Sequence, residues 1–180
     1  ETMSYGELVT ASDHAIYQRH YKGGAITSER IATLNSRVLS ATPIDDDLLL
    51  AIVISPDQSG SDLALYERLT QEMTQVTFKN TTFTNVVNSP DGTTLAYLAF
   101  TDGFVRLHVM DLQSGEAHQI SNELFGFSLH WSPDSKKLAV VSDHEGAGLQ
   151  NIYVINADGS ELLRITDFQY KDFTSPIWVD

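Results

Sequence analysis

An internal repeat constrains this 180-residue chain more than any other feature. Ser89-Pro90-Asp91-Gly92 precedes an apolar run from Leu95 to Phe100, and 43 residues later Ser132-Pro133-Asp134-Ser135 precedes Leu138 to Val141. Each run leads through a polar loop into a second β-rich run, Val105 to Met110 and Asn151 to Ile155. Each then passes a turn, Leu112-Gln113-Ser114-Gly115 or Asn156-Ala157-Asp158-Gly159, into a short closing strand. The closing strands end at Ile120 and Ile165, 45 residues apart; Val76 lies 44 residues before Ile120, and Ile31 lies 45 before Val76. A period of this length marks a repeat architecture in which neighbouring units bury a shared core.

Each unit holds short strands punctuated by Pro, Gly and Asp turn residues, which suits a four-stranded blade. The expected fold is therefore all-β: a β-propeller of about four four-stranded blades in a single domain, 1–180, with units ending near 31, 76, 120 and 165. Leu95 to Phe100 is apolar throughout, as a strand sandwiched between neighbouring blades requires. Val105-Arg106-Leu107-His108-Val109 alternates, which predicts one buried and one solvated face. Asp62 to Gln71 has a local helical reading, but its alignment with Val105 to Ser114 predicts strand and turn.

The two ends of the chain are complementary. Glu7-Leu8-Val9-Thr10 reads as the second strand of a unit with no Ser-Pro-Asp segment before it. Phe173-Thr174-Ser175-Pro176-Ile177-Trp178 repeats the segment that opens a unit, with Trp178 in the place of Trp131. Residues 166–180 are expected to supply a closing strand, so that the N- and C-terminal strands share one blade and no sheet edge is left open.

Composition removes several classes. There are 24 acidic against 11 basic side chains, a formal net charge of −13, which repels phosphate backbones and argues against nucleic acid as a partner. No apolar run reaches the length of a membrane span. Cysteine is absent, which excludes thiolate catalysis and cysteine zinc sites. The sequence holds no G-x-S-x-G nucleophile elbow, no G-x-G-x-x-G and no P-loop. Glu1 without a preceding Met suits a processed or trimmed chain.

Trp131-Ser132-Pro133-Asp134, Ser142-Asp143-His144-Glu145-Gly146, the run Asn151 to Ser160 and Arg164-Ile165-Thr166 together resemble the repeat of TolB-like, WD40-like (PD40) β-propellers. That pattern runs W-S-P-D-G, apolar strand, S-D-x-x-G, I-Y-x-M, D-G and L-T. Ser89 to Ile120 matches well; the first two units match in spacing and in fragments such as Ala15-Ile16-Tyr17 and Leu65-Tyr66. The resemblance implies a non-catalytic protein-interaction scaffold, with a protein partner, no catalytic residue and no cofactor. It also implies a periplasmic or otherwise extracytoplasmic place in a bacterium. Family members commonly carry six or seven blades. Four blades closing alone, half of an eight-bladed homodimeric ring and a piece of something larger all stay open.

Oligogalacturonate-lyase-type propellers, which bind a metal through histidines, supply a rival reading: a metal-binding enzyme using a divalent cation. His14 and His144 stand in the same tripeptide, Ser12-Asp13-His14 and Ser142-Asp143-His144, and Asp57 and Asp102 fall near the same point of the other units. The metal candidates are thus Asp13, His14, Asp57, Asp102, Asp143 and His144, against the plainer expectation that each Asp caps a β-turn. Asp45-Asp46-Asp47 lacks the D-x-D-x-D-G spacing of a calcium loop and reads as a solvated turn. Phe125 and Phe127, flanking Gly126, are candidate partner anchors if they reach a loop surface rather than the core.

Overall fold

The computed structural model describes residues 6–22, 25–55, 60–77, 82–101, 103–121, 126–143, 149–167 and 176–179. All regular structure among them is β, without a helix. The chain divides into two compact units, Glu1–Thr81 and Thr82–Asp180.

The first unit carries two sheets. β1 (Gly6–Ser12), β2 (Ala15–Lys22) and β3 (Ala25–Thr33) form a three-stranded antiparallel meander. β4 (Val38–Pro43), β5 (Leu48–Ile54), β6 (Ser61–Glu67) and β7 (Met73–Gln75) form a four-stranded one. Strand and turn, as expected, occupy Asp62 to Gln71. Ile16, Ala32, Val38, Leu49, Val53 and Tyr66 share one core, and the Tyr66 hydroxyl donates to Ile31 O at 3.0 Å, tying the two sheets together. Asp45 accepts from the amides of Asp47 and Leu48, both at 2.8 Å, so the acidic triplet is a capped turn.

The second unit repeats the meander twice. β8 (Thr82–Asn88), β9 (Thr94–Thr101), β10 (Phe104–Asp111) and β11 (Ala117–Ser121) form one sheet. β12 (Gly126–Trp131), β13 (Lys137–Ser142), β14 (Asn151–Asn156) and β15 (Leu163–Arg164) form the next. Leu98, Leu107, Val109, Leu129, Trp131, Leu138, Val140, Tyr153 and Ile155 pack into a single core between them. Each fully buried aliphatic side chain contributes about 1.5–3 kcal/mol relative to exposure. Four closing strands thus lie at or beside Ile31, Val76, Ile120 and Ile165.

Two features differ from the sequence reading. β10 does not alternate: Leu107 to Met110 are all buried, because the His108 ring stacks on Tyr97 with centroids 5.1 Å apart and planes within 3°. Phe100 is half exposed, since it lies at the outer end of β9 opposite Val105. The strand expected of residues 166–180 falls largely on 168–175 and 180, outside the described residues. Within the second unit the Trp178 indole N–H donates to His130 O at 3.2 Å.

Candidate functional site

The turns that open β9 and β13 are built identically. The Ser89 hydroxyl donates to Asp91 Oδ1 at 2.6 Å and accepts the Thr94 amide at 3.0 Å. Ser132 does the same with Asp134, at 2.6 Å, and the Lys137 amide, at 2.9 Å. The serine hydroxyl and backbone amides of these loops hold the Asp91 and Asp134 carboxyls below the usual carboxylate range, with the serine bond contributing most. The two turns also touch: Ser135 Oγ accepts the Asp91 amide at 3.1 Å. These carboxylates are structural, consumed by their own loops.

A second repeated device fastens the closing strands. Thr77 Oγ1 accepts the Leu63 amide at 2.9 Å and donates to the buried Asp62 at 3.1 Å. Thr166 Oγ1 accepts the Ile152 amide at 2.9 Å and donates to Asn151 Oδ1 at 3.1 Å. Two residues before each threonine, Gln75 and Arg164 donate to its carbonyl oxygen, at 2.8 and 2.7 Å. Asp62 additionally accepts from Ser55 Oγ at 2.7 Å.

A concavity in the second unit follows from a tryptophan ladder. Trp131 in β12 donates its indole N–H to Val87 O of β8 at 3.1 Å, and Trp178 repeats this one step on, toward His130 O of β12. The step leaves a cleft of about 370 Å³ lined by Val87, Asn88, Pro90, His130, Trp131, Ile177 and Trp178. Ile177 is 83% exposed and Trp131 only 8%, so an anchored indole lies beside an uncovered aliphatic side chain. Aromatic and aliphatic surface with a few polar groups at its margin is the composition of a protein-docking site.

Of the metal candidates, Asp13, His14 and Asp143 are among the described residues. Asp13 and His14 make the β1–β2 turn, with Asp13 at φ 54° and both side chains exposed, 3.9 Å apart. Asp13 also lies 3.8 Å from Arg37, an exposed pair of small energetic weight. Asp143 follows β13, and its Oδ1 is buried without a hydrogen-bond partner. Asp57, Asp102 and His144 lie outside the described residues, as does Phe125; Phe127 is placed in β12, its side chain outside the description. No group of three or more His, Asp or Glu side chains forms a metal cluster among the described residues. The cleft was not read from the sequence, which offered Trp131 and Trp178 only as repeat-motif residues; Val87, Asn88 and His130 reach it through the stacking of β8 and β12.

Repeated four-stranded antiparallel meanders, opened by Ser-Pro-Asp turns and stacked through tryptophans, define a blade-repeat protein of the β-propeller class. Residues 75–180 match the family described as the TolB beta propeller domain (PD40), and the chain belongs to that family. Over 118 residues it is 30% identical to the uncharacterized peptidase YuxL of Bacillus subtilis, covering 64% of this chain and 18% of that protein. Over 78 residues it is 32% identical to the TolB homolog of Chlorobaculum tepidum, covering 43% of this chain and 18% of that protein. The chain therefore spans less than a fifth of either relative. TolB from Acinetobacter baumannii superposes with a TM-score of 0.65 at 19% identity, over 93% of this chain and 41% of that one. That likeness establishes the fold alone.

Proposed function

We propose that this chain is a non-catalytic interaction scaffold, working outside the cytoplasm of a bacterium, that docks a protein partner on the Trp131–Trp178 cleft. The observation that carries the reading is the match of residues 75–180 to the TolB beta propeller domain, the segment that contains the cleft. The net charge of −13 favours a partner with a basic rim, so association weakens as salt screens the field. The test is retention of a soluble extracytoplasmic protein from the source organism on the immobilised chain. Ile177→Asp and Trp178→Ala are compared with wild type at low and high salt. Retention that falls with salt and is lost in both variants supports the reading; retention by the variants equal to wild type overturns it.

The similarity to the Bacillus subtilis peptidase supports a second reading: the chain serves as the propeller portion beside a hydrolase catalytic domain. The 180 residues carry no G-x-S-x-G elbow of their own. Labelling of the native polypeptide that contains this sequence by a fluorophosphonate probe favours this second reading, and absence of labelling favours the scaffold.

A further inference from the structure

The first sheet ends differently from the other three. Its closing strand β3 runs nine residues, whereas β7, β11 and β15 run three, five and two. β3 pairs with β2 from Ala25 to Thr33, and its outer edge meets no other strand among the described residues. Ile31 O accepts the Tyr66 hydroxyl, but the stretch from Ala25 to Arg30 is exposed at every residue. Short closing strands limit stray pairing, whereas a long bare edge presents a row of backbone N–H and C=O groups to a further strand.

The face beside that edge has also changed character. Tyr17, Arg19 and Tyr21 of β2 pair with Arg30, Ser28 and Ile26 of β3, so all of them share one face. Ile16 alternates to the other face, in the core with Leu49 and Tyr66, so the Tyr17–Arg19 face turns away from the β4–β7 sheet. Tyr17 pairs with Arg30 as Tyr153 pairs with Arg164 in the last sheet, which puts Arg19 at the position of Ile155. Ile155 is buried in the core of its own unit, whereas Arg19 is exposed. Tyr21 and Ile26, at the far end of the hairpin, are 43% and 68% exposed. In a chain of net charge −13, β2 and β3 carry Arg19, Lys22 and Arg30 against the single acid Glu29.

We propose that β3 is a docking edge for an extended acidic segment of a protein partner, which adds to the first sheet as a further strand. The main chain of β3 offers strand-to-strand hydrogen bonds that only another polypeptide returns in register. Arg19 and Arg30 engage carboxylates at alternate positions of the added strand, since a guanidinium fork matches a carboxylate. Tyr17, Tyr21 and Ile26 supply the aromatic and aliphatic surface that anchors protein interfaces. A second copy of the chain is the poorer occupant, because pairing edge to edge would bring the same cations together. None of these residues lines the Trp131–Trp178 cleft.

The probe is a fluorescent peptide as long as β3, with glutamate alternating with threonine, read by anisotropy at low salt. Wild type is expected to bind it saturably, and Arg19→Glu and Arg30→Glu each weaken binding about tenfold. Lys136→Glu, the same charge change on an exposed turn, leaves binding unchanged. Two further peptides are N-methylated, one at every glutamate and one at every threonine. Both keep the carboxylates, but one of them loses the amides that face β3 and should not bind. In wild type, amide exchange slows at alternate residues between Ala25 and Arg30 when the glutamate peptide is bound. No saturable binding, equal binding of both N-methylated peptides, or an equal loss in Lys136→Glu overturns the proposal. A dimer that forms without peptide and shuts it out does so as well, in favour of self-pairing.

Discussion

Gly159→Ala reports directly on how the last two sheets approach each other. Gly159 sits at φ 86°, a left-handed conformation that costs a non-glycine residue about 1 kcal/mol. A Cβ built there meets Ile120 O at 2.7 Å and the Ile120 Cα and Cβ at 3.3 Å. The nearest obstacle is the backbone of β11, which cannot swing aside as a flexible side-chain tip would. Overpacking of this kind adds about 1–3 kcal/mol, for a total of about 2–4 kcal/mol. Gly115 is the matched control, at φ 71° in the corresponding turn of the preceding sheet with nothing within 4 Å of its Cβ. Gly115→Ala therefore carries the backbone cost alone, about 1 kcal/mol. Urea unfolding followed by tryptophan fluorescence should show the Gly159→Ala midpoint falling well below that of Gly115→Ala. Equal losses would falsify the close approach of the Gly159 turn to Ile120.

Three further outcomes follow from the same coordinates. Thr77→Val keeps the shape but removes the bonds to the Leu63 amide and to the buried Asp62 carboxylate; unfolding midpoints should show a loss of about 1–3 kcal/mol, and a smaller one for Thr166→Val, whose partner is the neutral Asn151. Gln71 stands at φ 59° where the repeat places Gly115, so Gln71→Gly should stabilise by about 0.5–1 kcal/mol; a lowered midpoint contradicts the assigned turn. Asp91, Asp111, Asp134 and Asp158 have carboxyls lowered by bonds from Ser89, Ser114, Ser132 and Ser160 respectively. Because the folded values lie below the unfolded one, their stabilisation is complete above the ordinary carboxylate pKa of about 4 and fades as pH falls below it. Unfolding midpoints between pH 6 and pH 2 should decline more shallowly in the Asp91→Asn, Asp134→Asn double variant, and an unchanged slope contradicts this assignment.

Strand positions were readable because turn chemistry is local. Ser89-Pro90-Asp91 and Ser132-Pro133-Asp134 announce the starts of β9 and β13 within five residues. What sequence could not convey depends on contacts made across strands. His108 looks polar in β10, yet a ring stacked on Tyr97 keeps it buried, and burial pushes the Tyr97 phenol up to about 12. Thr77 and Thr166 resemble any strand-end threonine until register sets each beside an amide and an acceptor fifteen or so residues back. The Trp178–Trp131 relation was visible as a repeated motif, but not that the Trp178 indole would be held by His130 O.

Hydrogen exchange read strand by strand tests the recurring sheet module most directly. Amide protection should peak in β5–β6, β9–β10 and β13–β14, whose first members begin 46 and 43 residues apart, with β7, β11 and β15 exchanging sooner. Protection that runs evenly through the turns at Ser89 and Ser132, or that bears no relation to this spacing, contradicts the account.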